Sequence, residues 1–251
     1  MSFSISLAGK GGTGKTTIAG MLIKYLILNG KTPVLAVDAD SSANLNEVLD
    51  VKVTETLGSA REEMRKGKVP EGMTKDVFMS MKLQQAVIDG EGYDLVVMGL
   101  PEGKGCYCAA NSLLTGFLDR LIDNYPYIVI DNEAGMEHIS RLTTSNVDIL
   151  LIVADTSRRS IQAAININKL AEQLKIGVVK SYIIINQVKE DLSEKIIGLI
   201  KKSGLEFAGA IPDDDSIYEY DFNGKPTFNL PINNDALKAT FKIFDKIFNK
   251  R

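Results

Sequence analysis

Gly9-Lys10-Gly11-Gly12-Thr13-Gly14-Lys15-Thr16-Thr17 is the stretch whose residue types and spacing suit it to hold a polyphosphate. Phosphate oxygens need several converging backbone N–H groups, and side chains would block that approach. Glycines at positions 9, 11, 12 and 14 leave the backbone free to curl around the anion. Gly9, Gly14, Lys15 and Thr16 satisfy the spacing G-x-x-x-x-G-K-[ST], in which the lysine reaches the β- and γ-phosphates and the hydroxyl ligates Mg²⁺. The context agrees. Phe3 to Ala8 reads as a strand, and Lys15 opens an apolar helical run through Ile18, Met21, Leu22, Tyr25 and Leu26. That helix would aim its positive N-terminal end at the phosphates. Apart from Lys10, every residue of the loop, Thr13 and Thr17 included, is an expected nucleotide contact.

Three aspartates could serve the same chemistry. Asp131 follows the apolar run Tyr127-Ile128-Val129-Ile130, Asp38 follows Val34-Leu35-Ala36-Val37, and Asp40 lies just beyond it. In an open parallel sheet, ligands bind beyond the carboxyl ends of the strands, so these side chains should share an edge with the loop. Asp131 and Asp38 are placed to hold Mg²⁺ through water, and Asp40 to position an attacking water, as phosphoryl transfer requires. The plainer reading is that strand-end aspartates only cap the next helix. Guanine readers carry Asn-Lys-x-Asp, whose carboxylate accepts from the ring N–H groups. Here the corresponding strand ends Asn186-Gln187-Val188-Lys189, without that aspartate, which favours ATP.

The elements that must position these residues follow from periodicity. Apolar strands at 3–8, 33–37, 94–99, 127–130, 147–154, 182–185 and 207–211 alternate with helical patterns at 15–29, 157–174, 192–203 and 235–250. Residues 54–66, 76–88 and 111–125 also carry helical spacing. The first two fall in a looser segment, 51–92, that reads as an insertion over the sheet edge. The pattern implies an α/β fold: a single doubly wound, mostly parallel sheet with helices on both faces, a P-loop NTPase spanning 1–251 as a single domain. Hydrophobic residues make up 45% of the 251, enough for a full core. A net charge of −3 and a pI near 5.4 argue against a nucleic-acid partner. The start shows no basic-then-apolar leader, and no apolar run approaches the ~20 residues that span a bilayer. The expectation is a cytoplasmic protein without a membrane partner. Its two cysteines, Cys106 and Cys108, are too close together to staple a fold.

Lys10 turns the loop into K-G-G-x-G-K-T, and with it the chain resembles the deviant P-loop of the MinD/ParA-type ATPases, a group that includes the nitrogenase iron protein. The resemblance runs end to end. Asp38-Ala39-Asp40 looks like the family's switch I, and Asp131-Asn132-Glu133-Ala134-Gly135 like its switch II. Asn186 and Ile211-Pro212-Asp213-Asp214 look like its adenine-side elements. This implies an ATPase whose slow hydrolysis depends on dimerisation. Lys10 would reach across an ATP-bridged homodimer to the partner's phosphates in the role of an arginine finger, with Lys15 and Asp40 as the other catalytic groups. Within the family, Gly105-Cys106-Tyr107-Cys108 through Leu114, together with Asn132 through His138, looks like the CooC-type maturation ATPases. Those proteins assist nickel insertion into carbon monoxide dehydrogenase or its partner acetyl-CoA synthase, so the resemblance implies one of these as client.

In an extended segment, residues i and i+2 point the same way. The sulfurs of Cys106 and Cys108 could then sit ~3.8 Å apart, the edge of a tetrahedron with ~2.3 Å metal–sulfur bonds. Two thiolates do not close such a site, no third cysteine exists, and the only histidine, His138, falls in the switch II segment. A two-fold dimer would supply four thiolates from one loop used twice. A tetrahedral S₄ set suits Zn²⁺ and a planar one Ni²⁺, so the choice of metal stays open. The plainer readings are ordinary loop thiols or a redox pair, although a disulfide closing so small a ring would be strained. A rival signal lies near the end of the chain, where Lys238, Lys242, Lys246 and Lys250 recur opposite Leu237, Phe241, Phe244 and Phe248. A basic amphipathic helix of that kind could lie on a membrane, as in MinD, making the protein a positioning ATPase that acts at membrane or nucleoid. Its place in the chain, where the fold's own last helix should pack, favours a packing helix with a solvated lysine face.

Overall fold

The computed structural model describes residues 2–66, 69–99, 121, 124–134, 147–173 and 177–249. Cys106, Cys108, Gly135, His138 and most of the expected helix at 111–125 lie outside the described residues. The first half of the chain forms β1 (Phe3–Gly9), α1 (Lys15–Leu28), β2 (Val34–Ala39), α2 (Leu45–Val48), α3 (Leu57–Arg65), α4 (Lys75–Gln85), β3 (Val87–Asp89), β4 (Tyr93–Val97) and β5 (Tyr127–Asn132). Then follow β6 (Ile149–Ala154), α5 (Arg158–Gln173), β7 (Lys180–Val188), α6 (Glu194–Ser203), β8 (Glu206–Pro212), α7 (Asp215–Phe222), a 3₁₀ turn (Thr227–Asn229) and α8 (Asp235–Asn249).

The strands make one eight-stranded sheet in the order β3-β4-β2-β5-β1-β6-β7-β8. Its pairs are parallel except β3, which runs antiparallel to β4. Parallel neighbours require crossovers that cover both faces, and every residue of β1, β2 and β6 is accordingly buried. The two-residue alternation divides the core. Ile5 and Leu7 pack with α1 and α8 on one face, while Ala8, Ile152 and Ile183 pack with α5 on the other. Leu35 and Val37 meet Leu57 of α3 and Leu83 of α4, which places the 51–92 segment over the sheet near its β3 edge, as expected. From β1 the chain moves to β2 on one side, and later to β6 on the other. The loop after β1 therefore opens at the point where the strand order reverses, where open α/β sheets form their crevice.

Three elements differ from the sequence expectation. The helix expected over 76–88 stops at Gln85, because Val87-Ile88-Asp89 turns back on β4 in a hairpin closed by the Gly90 N–H donating to the Tyr93 carbonyl at 2.8 Å. Helix α2 is a single short turn with one buried residue, Leu45. Helix α7 has no fully buried residue and so offers no apolar stripe to read; its start is set by Asp214, whose carboxylate accepts from the Ser216 N–H at 3.0 Å. The last helix packs as a core element: Leu237, Thr240, Ile243, Phe244 and Ile247 are buried, and Phe241, Phe244 and Phe248 surround Tyr25 of α1.

Candidate nucleotide site

The loop between β1 and α1 is shaped by contacts that only glycine permits. A Cβ on Gly9 would lie 2.2 Å from the Val153 carbonyl oxygen of β6, and one on Gly14, at φ +85°, would lie 2.4 Å from the Asn186 amide nitrogen. The loop is then clamped from outside. Asn186 Nδ2 donates to the Thr13 carbonyl at 2.9 Å, and Gln187 Nε2 to that of Gly12 at 3.3 Å. From inside, the Thr13 hydroxyl donates to the Lys10 carbonyl at 2.9 Å. Helix α1 starts at Lys15 with no side-chain cap and no acidic residue in its first turn, leaving its N-terminal amides open to an anion.

Lys15 is 7% exposed and its ammonium donates to the Lys10 carbonyl at 3.4 Å. Burial lowers its pKa from the ordinary lysine value, against the opposing pull of Asp131 and Asp40. Asp38 and Asp131 are register partners across β2 and β5. Asp38 is fully buried and both its oxygens are engaged, one by the Asp40 N–H at 3.1 Å and one by the Leu45 N–H at 2.9 Å. It thereby holds the switch-like loop that carries Asp40. Burial pushes the Asp38 carboxyl up to about 7, against the pull of those two hydrogen bonds. Asp131 accepts from the Thr16 side chain, yet its Oδ1 is buried without a hydrogen-bond partner among the described residues. Burial pushes its carboxyl up to about 6, opposed by Thr16 and Lys15. Asp40, half-buried, faces the same cavity as Lys15 and Thr16 and accepts from the Ser42 N–H at 2.8 Å. Lys10 is exposed.

A cavity of about 980 Å³ runs from Gly11, Gly12 and Thr16 past Asp40 to Val51, Lys52 and Lys225. The structure thus brings together the P-loop, Lys15, Thr16, Thr17, Asp40 and, beneath them, Asp131 and Asp38. It does not place Pro212, Asp213 or Asp214 on that cavity. Pro212 ends β8 opposite Val188, and Asp214 caps α7 while also accepting from Asn234 at 2.8 Å. Asp213 pairs with Lys189 at 3.6 Å and borders a second cavity of about 740 Å³ with Leu192 and Ile196. Gln187 borders both cavities, next to Asn186. Two working residues carry no usable sequence signal. Gln187 clamps the loop from a left-handed backbone conformation, φ 57°. Asn132, named only as part of the switch II segment, is buried at the end of β5 and ties that strand to β1, donating to Ser6 Oγ at 2.7 Å and the Leu7 carbonyl at 2.6 Å. Among the described residues no group of three or more His, Cys, Asp or Glu is arranged to hold a metal, and no helix is long and apolar enough to cross a membrane.

Comparison with known proteins agrees with this geometry. An uncharacterized ATP-binding protein of Methanocaldococcus jannaschii is 42% identical over 251 residues, covering 98% of this chain and 99% of that protein. The carbon monoxide dehydrogenase accessory protein CooC of Rhodospirillum rubrum is 32% identical over 242 residues, covering 90% and 89%. Among solved structures, the septum site-determining protein MinD of Pyrococcus horikoshii, complexed with Mg-ADP, matches with a TM-score of 0.74 at 21% identity over 98% of this chain and 96% of that one. Residues 5–228 match the family description, and the chain belongs to the CobQ/CobB/MinD/ParA nucleotide-binding domain family.

Proposed function

We propose that this protein is a dimerising ATPase that uses ATP binding and slow hydrolysis to assist nickel insertion into a carbon monoxide dehydrogenase or acetyl-CoA synthase. The observation that carries the ATPase part is the buried Asp131 carboxylate, one oxygen unpartnered, beside Thr16 and Lys15 at the uncapped start of α1. That donor set fits Mg²⁺, which takes oxygen ligands and is ordinarily held by one or two carboxylates plus phosphates rather than by an all-protein cage. The Thr16 hydroxyl would hold it, with Asp131 and Asp38 acting through water. Bound there, the ion would offset negative charge on the β- and γ-phosphate oxygens. The loop amides from Gly11 to Thr17 would seat those oxygens, and Lys15 supplies a fixed positive charge in a site partly shielded from water. Asp40 is placed to orient the attacking water, and exposed Lys10 to reach a second copy. Asn186 and the Pro212–Asp214 corner would lie on the base side, with Asp213 bordering the neighbouring cavity.

The maturation part rests on the similarity to CooC and on the Cys106/Cys108 spacing. The competing reading, a positioning ATPase with a membrane-binding terminal helix, is disfavoured by the packing of α8 against β8 and Tyr25. Steady-state turnover and nucleotide binding test the ATPase part. Lys10→Ala and Asp40→Ala should each keep ATP binding and lower kcat, Lys10→Ala by up to about 10³-fold, the lower range for a finger supplied in trans. Wild-type turnover in Lys10→Ala would remove its cross-dimer role. Loading of nickel-free client in vitro tests the maturation part, and should require both ATP and the two cysteines.

A further inference from the structure

Helix α7 turns two aromatic rings outward at the rim of the nucleotide cavity, which Asp221 at its end and Gly224 and Lys225 just beyond help to line. Tyr218 and Phe222 are four residues apart, so they share one face of the helix, and they are 68% and 76% exposed. Their rings stack, with centroids 5.9 Å apart and planes inclined by 20°. The opposite face does the packing, through Ile217 and Tyr220. Both ends of the helix are tied down. Asp214 accepts from the Ser216 N–H and from Asn234 at 2.8 Å, and the Lys225 N–H donates to the Tyr220 carbonyl at 2.8 Å. Single exposed apolar side chains are ordinary on a protein surface. Two large rings already in contact on a fixed helix instead make a surface with little left to order on binding.

The charge around the rings specifies what would cover them. Asp215 lies one turn before Tyr218, and Glu219 and Asp221 flank the pair on either side. All three carboxylates are exposed and form no ion pair among the described residues. Lys225, the nearest lysine in the chain, lies over the Tyr220 ring at 5.9 Å instead. Such a face repels nucleic acid and anionic lipid. A second copy would offer the lysine stripe of α8, but Asp245 interrupts that stripe and Lys238 is already held by Asp235 at 3.3 Å. A ring face attracts a cation, most often the planar guanidinium, and flanking carboxylates take its N–H donors. Charge and shape together therefore fit arginine on a foreign chain.

We propose that α7 docks a segment of another protein in which arginine stands beside an apolar side chain. The guanidinium lies over the outer face of the Tyr218/Phe222 stack and pairs with the flanking carboxylates, while the apolar neighbour packs against the rings. The surface goes beyond the proposed function, and its test needs neither metal nor nickel enzyme. Fluorescence anisotropy of the full chain is followed with labelled peptides of equal length, one of arginine and leucine, one of glutamate and leucine, and one of arginine and serine. The arginine–leucine peptide should bind saturably, the arginine–serine peptide more weakly and the glutamate–leucine peptide not at all. Phe222→Ala, at an exposed position that does not threaten folding, should keep ATP binding and weaken the arginine–leucine peptide at least about fivefold, the loss expected of an anchoring ring. Asp215→Asn combined with Glu219→Gln should weaken it about threefold and flatten its salt dependence. Sedimentation with and without a non-hydrolysable ATP analogue should give the same association state for Phe222→Ala as for the wild-type chain. No binding of the arginine–leucine peptide, equal binding of either other peptide, or an affinity that Phe222→Ala leaves unchanged overturns the proposal. So does loss of self-association in Phe222→Ala, which would make a second copy the occupant.

Discussion

At the scale of single residues, the site holds carboxylates at a cost to stability. Asp38 and Asp131 sit on neighbouring strands, buried, with carboxyls pushed up to about 7 and about 6. A carboxyl whose folded pKa lies above its unfolded value contributes stability that is full below the unfolded pKa and is lost as pH rises through the folded one. Without Mg²⁺, stability should therefore fall between about pH 4 and about pH 7 more steeply than in a chain lacking these groups. Urea unfolding in EDTA checks this. Asp131→Asn should be the more stabilising at pH 8, by a margin on the order of 3 kcal/mol for a shift of about two units, and close to neutral at acid pH. If the margin is the same at both pH values, the carboxylate is not the source. Asn132 has the opposite character, because its amide is satisfied twice, by Ser6 and Leu7. Asn132→Ala should destabilise the chain by about 1–3 kcal/mol at all pH values, since it leaves the strand junction without its donor.

At the scale of elements, the P-loop works as a part of three strands rather than as a loop alone. It leaves β1, its Gly9 turn passes under β6, and its far side hangs on Asn186 and Gln187 at the end of β7. Gly14→Ala would put a Cβ against Asn186 and force a left-handed backbone on alanine, costing about 1–2 kcal/mol before the lost clamp is counted. The expected outcome is weaker nucleotide binding by calorimetry with the sheet intact by far-UV circular dichroism. Retained wild-type affinity would mean that the clamp does not shape the loop. These elements differ in how far the sequence announces them. The loop itself was legible, because its nine residues are contiguous and each type has a local reason. The parallel strands were legible as unbroken apolar runs. Gln187 and Asn132 were not, because their partners lie 175 and 126 residues away and amide side chains have no period. Strand β3 is three residues long, too short to show alternation, and α7 buries none of its side chains completely. For α8 the lysine spacing invited a surface role. The packing answers with Phe244, fully buried against Tyr25, where Phe244→Ala should cost about 3–5 kcal/mol in urea unfolding.

At the scale of the whole molecule, the proposed function makes the nucleotide face and the cysteine pair each one half of a site shared between two chains. Exposed Lys10 is not among the residues that line its own cavity, and each chain offers only Cys106 and Cys108, two thiolates where a closed tetrahedral site needs four. A two-fold dimer would complete both. One metal ion should then bind per two chains and favour the dimer by mass action, adding ~2.7 kcal/mol at a hundredfold excess over its dissociation constant. ATP bridging the same pair of chains would act in the same direction, so each ligand should tighten the other's binding by the same factor. Sedimentation with Ni²⁺ or Zn²⁺, with and without a non-hydrolysable ATP analogue, reads both effects. Cys106→Ser or Cys108→Ser should abolish metal-driven association while sparing nucleotide binding to the single chain. Lys10→Ala should leave metal-driven association in place and weaken the part driven by nucleotide. A monomer holding one tight metal per chain, indifferent to the loss of either cysteine, would overturn the shared thiolate site and the nickel-delivery reading together. The ATPase reading, which rests on Asp131, Thr16 and Lys15, would stand.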